Sequence, residues 1–417
     1  MKGKRREVAM RIIISGMGIV SAIGMDVPAY WNNLVSGKSG LRPITLFDTS
    51  KYRCKLGYEV VDLDPQQLGI TKGVNTYDRI QLFTSGAAKL AWGDAGLHAG
   101  YYSSEDMGVV LGSTYGYIDS VSRFYMESLR YSPAYVSPIA FANTVMNAPA
   151  GRIAINFKIK GLCSTIATGE SSGLDAIGYA CDFIRTGRCR TILVGAGSVL
   201  CEGTFMGFYY TRLLSGSKDK ERELCSPFDK NGNGLILGEG AAMLVLEGLE
   251  QARLRGAPIL AEVKGLGSQF ACNQKDPEDI IQSHAASMQE AIASSNIGLK
   301  DISLIIANAN SDPRTDNLEA QAIKRVFGDK AKEITTTAIK SATGECLDAS
   351  ALMQTLAGVC AIRDGKVPPI VNLKEPIESD RIRYAYEAYE RPIDAVLINA
   401  FSHYGKSTSM VISACNE

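Results

Sequence analysis

Histidine is nearly missing from this chain of 417 residues: there are three, His98, His284 and His403. Chemistry that needs several imidazoles is therefore confined to few places. Ten cysteines are scattered with no CxxC pair, which argues against a zinc ribbon or redox motif and for reduced, buried thiols in a cytoplasmic protein. Net charge is absent too, since Lys+Arg and Asp+Glu both number 44, so no overall field draws the chain to nucleic acid or a membrane surface. No run approaches the roughly 20 apolar residues that span a bilayer. Residues 1–11 are basic and precede an apolar stretch, but Ser15, Gly16, Gly18 and Ser21 interrupt it. It reads as a first strand and a glycine turn, not a signal peptide. Walker loops, dinucleotide fingerprints and metal-spaced His/Cys clusters are all lacking, so neither a metal nor another cofactor is expected.

What is present is alternation. Compact apolar, β-branched runs at 11–20, 107–113, 191–199, 241–247, 304–309 and 395–400 read as buried strands. Helical patterns lie between them, as at 78–93, 174–185, 280–294 and 318–327. This order predicts an α/β fold with parallel sheet covered by helices on both faces. The tetrapeptide Ala-Thr-Gly-Glu occurs twice, ending at Glu170 and Glu345. Each copy is followed by Leu-Asp-Ala, and Ile184-Arg185-Thr186-Gly187 is echoed by Ile362-Arg363-Asp364-Gly365. A duplicated unit follows, with carboxylates at equivalent strand-to-helix turns. A charged helix end with Gly256 and Pro258 places the seam at 250–258, dividing the chain into halves at 11–250 and 259–417.

Two motifs compete for the chemistry. Gly169-Glu170-Ser171-Ser172-Gly173 matches the serine-hydrolase elbow G-x-S-x-G, with Ser171 as nucleophile and His403 in the right chain order. That reading leaves the second Ala-Thr-Gly-Glu without a purpose. Asp229-Lys230-Asn231-Gly232-Asn233-Gly234 imitates a calcium loop, but Gly240 stands where the bidentate glutamate belongs.

Other stretches carry a resemblance from about residue 11 to the C-terminus. They are Ser15-Gly16-Met17-Gly18-Ile19-Val20-Ser21, Ala142-Asn143-Thr144-Val145-Met146-Asn147, Pro227-Phe228-Asp229 and Gly238-Glu239-Gly240-Ala241. Glu319-Ala320-Gln321-Ala322, Lys340-Ser341-Ala342-Thr343-Gly344, Val367-Pro368-Pro369 and Asn372-Leu373 follow. In this order they resemble the β-ketoacyl synthases of the thiolase superfamily. The resemblance implies a thiolase fold, five α/β/α/β/α layers built from two similar βαβ-rich halves, dimerising through sheet edges. A condensing member of that family carries cysteine at the elbow and two histidines that polarise a malonyl thioester. Here the elbow holds Glu170. The second histidine position, after Lys340, holds Glu345, and the first falls on Asn308 or Asn310. The glycine-rich close of the family has become Ser402-His403-Tyr404-Gly405-Lys406-Ser407.

A thiolate at a helix N-terminus attacks thioesters, whereas a carboxylate there would form an unstable anhydride. Without the imidazoles nothing evident donates to a developing enolate. The resemblance is therefore strongest to the chain length factor, the non-condensing subunit that pairs with an active ketosynthase and receives chains from acyl carrier protein in type II polyketide or fatty-acid-like synthesis. A malonyl-carrier decarboxylase of the same fold is the alternative, and it requires Glu170 protonated near neutral pH. Glu345 has a purely structural reading as the ion-pair partner of Lys340. In chain length factors the tunnel is limited from the helix that here spans 112–129, where Tyr117, Ser120 and Phe124 share one face. Phe401 matches a gating phenylalanine of active synthases.

Overall fold

The computed structural model describes residues 10–98, 100–218 and 222–415, so the basic stretch up to Ala9 lies outside the described residues. Ile12–Ser21 is a strand buried at every position, and its glycines are dictated by a neighbour. A Cβ at Gly16 would lie 2.4 Å from the Ala91 carbonyl oxygen, and one at Gly18 would lie 2.1 Å from that of Ala87. Helix Arg79–Asp94 therefore rests its backbone directly on the strand. The same device recurs in Ala261–Phe270. There Gly265 and Gly267 would meet the carbonyls of Ala291 and Ser287, on helix Pro277–Ser295, at 2.2 and 2.0 Å.

The strands repeat the pattern. One set runs Cys163–Ile166, Met107–Gly112, Thr191–Ser198, Gly240–Gly248, Ile12–Ser21 across the sheet. The other runs Thr335–Thr337, Leu304–Ile306, Ala395–Phe401, Lys406–Ser413, Ala261–Phe270, with Arg383–Tyr384 added outside. In chain order both sets read third, second, fourth, fifth, first. The first three strands across each set pair parallel, and the remaining two pairings are antiparallel. The sheet is thus mixed, correcting the parallel sheet expected from sequence. Helices bury both faces whichever way a strand runs, so unbroken apolar runs carry no information about direction. The two sets join where Ile12, Ile13 and Ile14 pair with Val263, Glu262 and Ala261. Between the sets lies 250–258, where we propose the division into halves.

Helices Ser172–Arg185 and Ser350–Asp364 touch each other and strands of both sets, forming the middle layer. Arg79–Asp94 and Ala148–Phe157 cover one outer face, and Pro277–Ser295 with Pro313–Phe327 the other. Every residue from Ser350 to Ala361 is buried, the all-round burial of a core helix. This five-layer arrangement brings the N-termini of the two middle helices together at one place.

Candidate functional site

The elbow is a tight turn between Cys163–Ile166 and helix Ser172–Arg185. Gly169 takes φ +73°, which a side chain would resist, and Thr114 Oγ1 accepts from its amide at 3.0 Å. Ser172 Oγ accepts from Thr168 N at 2.9 Å. Glu170, placed at the tip, is 2% exposed. Its Oε1 receives His403 Nδ1 at 3.0 Å and the Tyr115 hydroxyl at 3.3 Å, and its Oε2 receives the His403 amide at 3.3 Å. Burial alone would raise the Glu170 carboxyl. The charge of His403 and hydrogen bonds from His403 and Ser402 outweigh that and hold it down at about 2. Burial likewise opposes charge on His403, yet the Glu170 carboxylate raises its pKa above the ordinary value. Each partner thus favours the charged form of the other. His403 Nε2 is buried and has no hydrogen-bond partner among the described residues.

Beside it lies a second buried pair. Lys340, 1% exposed, donates to Asn308 Oδ1 at 2.9 Å and to Glu345 Oε2 at 2.8 Å. Asn310 Nδ2 donates to the same Glu345 oxygen at 2.9 Å, while Leu347 N and Ser350 Oγ fill Oε1 at 3.0 and 2.8 Å. Asn308 Nδ2 reaches the Phe401 carbonyl at 3.3 Å, and its amide reaches Glu319 Oε1 at 2.9 Å. All the positions singled out around the missing triad thus converge, and both asparagines contact the Lys340–Glu345 pair. A cavity of about 330 Å³ opens onto Asn308, Asn310, Phe401 and His403. Phe401 stacks on His284 at 3.8 Å between ring centroids. Burial lowers the His284 pKa to about 3, so that ring is neutral. His98 is exposed elsewhere.

Ser120 and Phe124 line a different cavity, of about 210 Å³, while Tyr117 caps the start of helix Ile118–Tyr131 and lines neither. Ser171 is fully buried and donates to the Thr168 carbonyl at 3.0 Å, and the histidine a hydrolase would need is bound to Glu170 instead. Asp229 spends its carboxylate on the amides of Asn231, Lys374 and Glu375. Among the described residues no group of three His, Cys, Asp or Glu could hold a metal, and no helix is long and apolar enough to cross a membrane.

Sequence reasoning missed the Glu170–His403 pair, although a histidine replacing glycine-rich sequence in the family's closing motif was a visible signal. It also missed Asp348. Glu170 lies two residues before its helix, and two residues before Ser350 stands Asp348, not Glu345. The second Ala-Thr-Gly-Glu is therefore out of register with the first, and the carboxylate equivalent to Glu170 is Asp348. Its Oδ2 accepts from Tyr115 N at 2.8 Å, and its Oδ1 has no partner among the described residues. Burial, with the nearby Glu170 charge, raises this carboxyl to about 7.

Chemically, no thiol occupies the elbow, and an ionised Glu170 accepts hydrogen bonds without donating any. Protonation of Glu170 near neutrality, the condition for its acting as an acid, is not met.

Comparison with known proteins agrees with this architecture. The family described as "Beta-ketoacyl synthase, N-terminal domain" matches residues 9–252, and its "C-terminal domain" matches residues 260–374. The chain is 33% identical to 3-oxoacyl-[acyl-carrier-protein] synthase 2 of Coxiella burnetii, over 97% of this chain and 98% of that protein. It is 31% identical to the protein of the same name from Synechocystis, over 96% and 97%. Among solved structures it is similar to the ishigamide ketosynthase/chain length factor, with a TM-score of 0.91 and 26% identity, covering 98% of this chain and all of that one.

Proposed function

Because the chain belongs to the β-ketoacyl synthase family yet has carboxylates and amides locked to one another at its reactive positions, we propose that it is the non-condensing subunit of a synthase pair. In this reading it resembles a chain length factor. It docks an active, cysteine-bearing ketosynthase in the cytoplasm and shapes the space that receives a chain delivered by acyl carrier protein, with no cofactor of its own. The observation that carries the proposal is Glu345: both its oxygens are filled by Lys340, Asn310, Leu347 and Ser350, leaving no donor where a condensing enzyme presents one.

The surface favours a partner. Strand Cys163–Ile166 ends the sheet, with Cys163 exposed. On nearby helices Tyr125, Leu129 and Phe141 are 63%, 65% and 61% exposed, together with Ile139 and Ile155. Such a cluster of large apolar side chains marks an association face. The relative from Coxiella burnetii is named for acyl-carrier-protein substrates, and the ishigamide structure pairs a ketosynthase with a chain length factor. Both fit the partners proposed for this chain. Phe124 sits beside Phe141, ring centroids 5.8 Å apart, below that face. Phe124→Ala should lengthen the product of the reconstituted pair; unchanged product length would remove this helix from chain-length control. The reading as a whole is tested by co-purification with an active synthase and by acyl loading of the isolated chain, which should not occur.

One observation favours a second reading. His403 lines the cavity and is held by Glu170, which favours its protonated form, and its buried Nε2 has no hydrogen-bond partner among the described residues. In that form, with the ring turned to the cavity, it could donate to a thioester carbonyl during malonyl decarboxylation. Carbon dioxide release from malonyl-carrier protein by the isolated chain, abolished in His403→Phe, would select that reading over the first.

A further inference from the structure

The cavity beneath the exposed face is walled unlike a hydrocarbon channel. Its rim carries Phe124 and Ile139, but its floor is Asp78 and Ser120, which are 9% and 7% exposed. Asp78 caps helix Arg79–Asp94, its Oδ1 accepting Gln81 N at 3.0 Å, and its Oδ2 accepts the Ser120 hydroxyl at 2.5 Å. A carboxylate has room for more acceptances than these two, and Ser120, its proton committed, turns only lone pairs elsewhere. Next to them the Thr76 carbonyl receives Asn143 Nδ2 at 3.4 Å and Arg152 Nη2 at 3.3 Å. The buried floor thus offers acceptors from Asp78, Ser120 and the Thr76 carbonyl, while the donors of the lining, on Asn75, Arg123, Ser137 and Asn143, stand around it. At the mouth Arg123 and Glu127 carry opposite charges, so the entrance selects neither ion.

We propose that this cavity receives a hydroxyl-bearing chain end and discriminates against a saturated alkyl end. The inference rests on the partner-subunit reading, in which this cavity belongs to the space that receives the growing chain. An alkyl end pushed against Asp78 and Ser120 would displace their water and return no hydrogen bond, whereas a hydroxyl donates to the carboxylate and keeps the floor satisfied. Sites built to hydrogen-bond a substrate hydroxyl reject analogues that lack it far more strongly than apolar pockets reject an extra one.

The test uses the pair formed with the active synthase subunit of the same organism, and competes ω-hydroxyacyl-carrier proteins against alkyl acyl-carrier proteins of matched, increasing length. Once the chain is long enough to reach the cavity, the hydroxylated primer should be extended at least about tenfold faster. Ser120→Ala should cut that preference to about twofold or less, and Ser120→Thr, which keeps the hydroxyl, should restore it. Equal or reversed preference in the unmodified pair, or a preference untouched by Ser120→Ala in a pair that still assembles, overturns the inference. Should Phe124→Ala lengthen products while the terminal hydroxyl makes no difference, only this inference fails. If no pair assembles at all, the partner-subunit reading fails and the inference is refuted with it.

Discussion

Removing the ammonium of Lys340 is the sharpest perturbation available, because Nζ lies among buried groups that have arranged themselves around it. In Lys340→Met, Glu345 keeps three neutral donors, from Asn310, Leu347 and Ser350, but loses the ammonium that bonds it at 2.8 Å. Breaking one side of a buried pair costs about 3–5 kcal/mol, and the surviving donors place this case near the lower end, about 3 kcal/mol. Glu345→Gln should cost a similar amount, since Lys340 would keep only neutral acceptors and the new amide would turn its NH2 on donors that now bond the carboxylate. With both substitutions no unpaired charge remains, and what persists is an Asn308 oxygen without its donor, about 1–3 kcal/mol. The double variant should therefore be about as stable as either single one, giving a coupling of at least about 3 kcal/mol. Denaturant unfolding followed by circular dichroism and tryptophan emission reads this out, since Trp31 is buried and bonded to Asp364 at 2.6 Å. Single costs that simply add, to within about 0.5 kcal/mol, would refute the view that these residues form a structural ion pair.

The Glu170–His403 pair should show in pH dependence. Glu170, held at about 2, contributes stability that is complete above its unfolded value near 4.3 and drains away as pH falls through about 2. His403, raised, contributes below about 6.5 and loses its contribution as pH climbs through the folded value. Glu170→Gln should lower the His403 titration point seen by proton NMR; an unmoved point would contradict the pairing. Asp348 works with the opposite sign to Glu170. Raised to about 7, it binds a proton in the folded state that the unfolded chain releases near 3.9, so stability falls as pH rises between about 4 and 7. Asp348→Asn should flatten part of that decline, and only part, because Asp316 is also raised to about 7. An unaltered slope in a pH series of denaturation midpoints would count against it. Ser171, buried and hydrogen-bonded to Thr168, should remain unlabelled by fluorophosphonate, and stoichiometric labelling would revive the hydrolase reading.

Family and α/β class are legible in the amino-acid sequence, because strand and helix periodicities and the order of short motifs are local properties of the chain. What the reactive positions lack is legible too, since an absent cysteine or imidazole is visible without coordinates. Strands such as Ala261–Phe270 and Lys406–Ser413 are not legible in the sequence. Glycine, serine and lysine break their apolar pattern, and only the approach of helix Pro277–Ser295 explains the glycines. Strand direction, the true register of the repeat and the pairing of Glu170 with His403 were left to the tertiary structure. Each depends on which side chains meet across more than a hundred residues of chain, and no local pattern encodes such a meeting. The same holds for charge: Glu170 and Asp348 are both buried carboxyls, yet one is held at about 2 and the other at about 7, because only the first has a histidine against it.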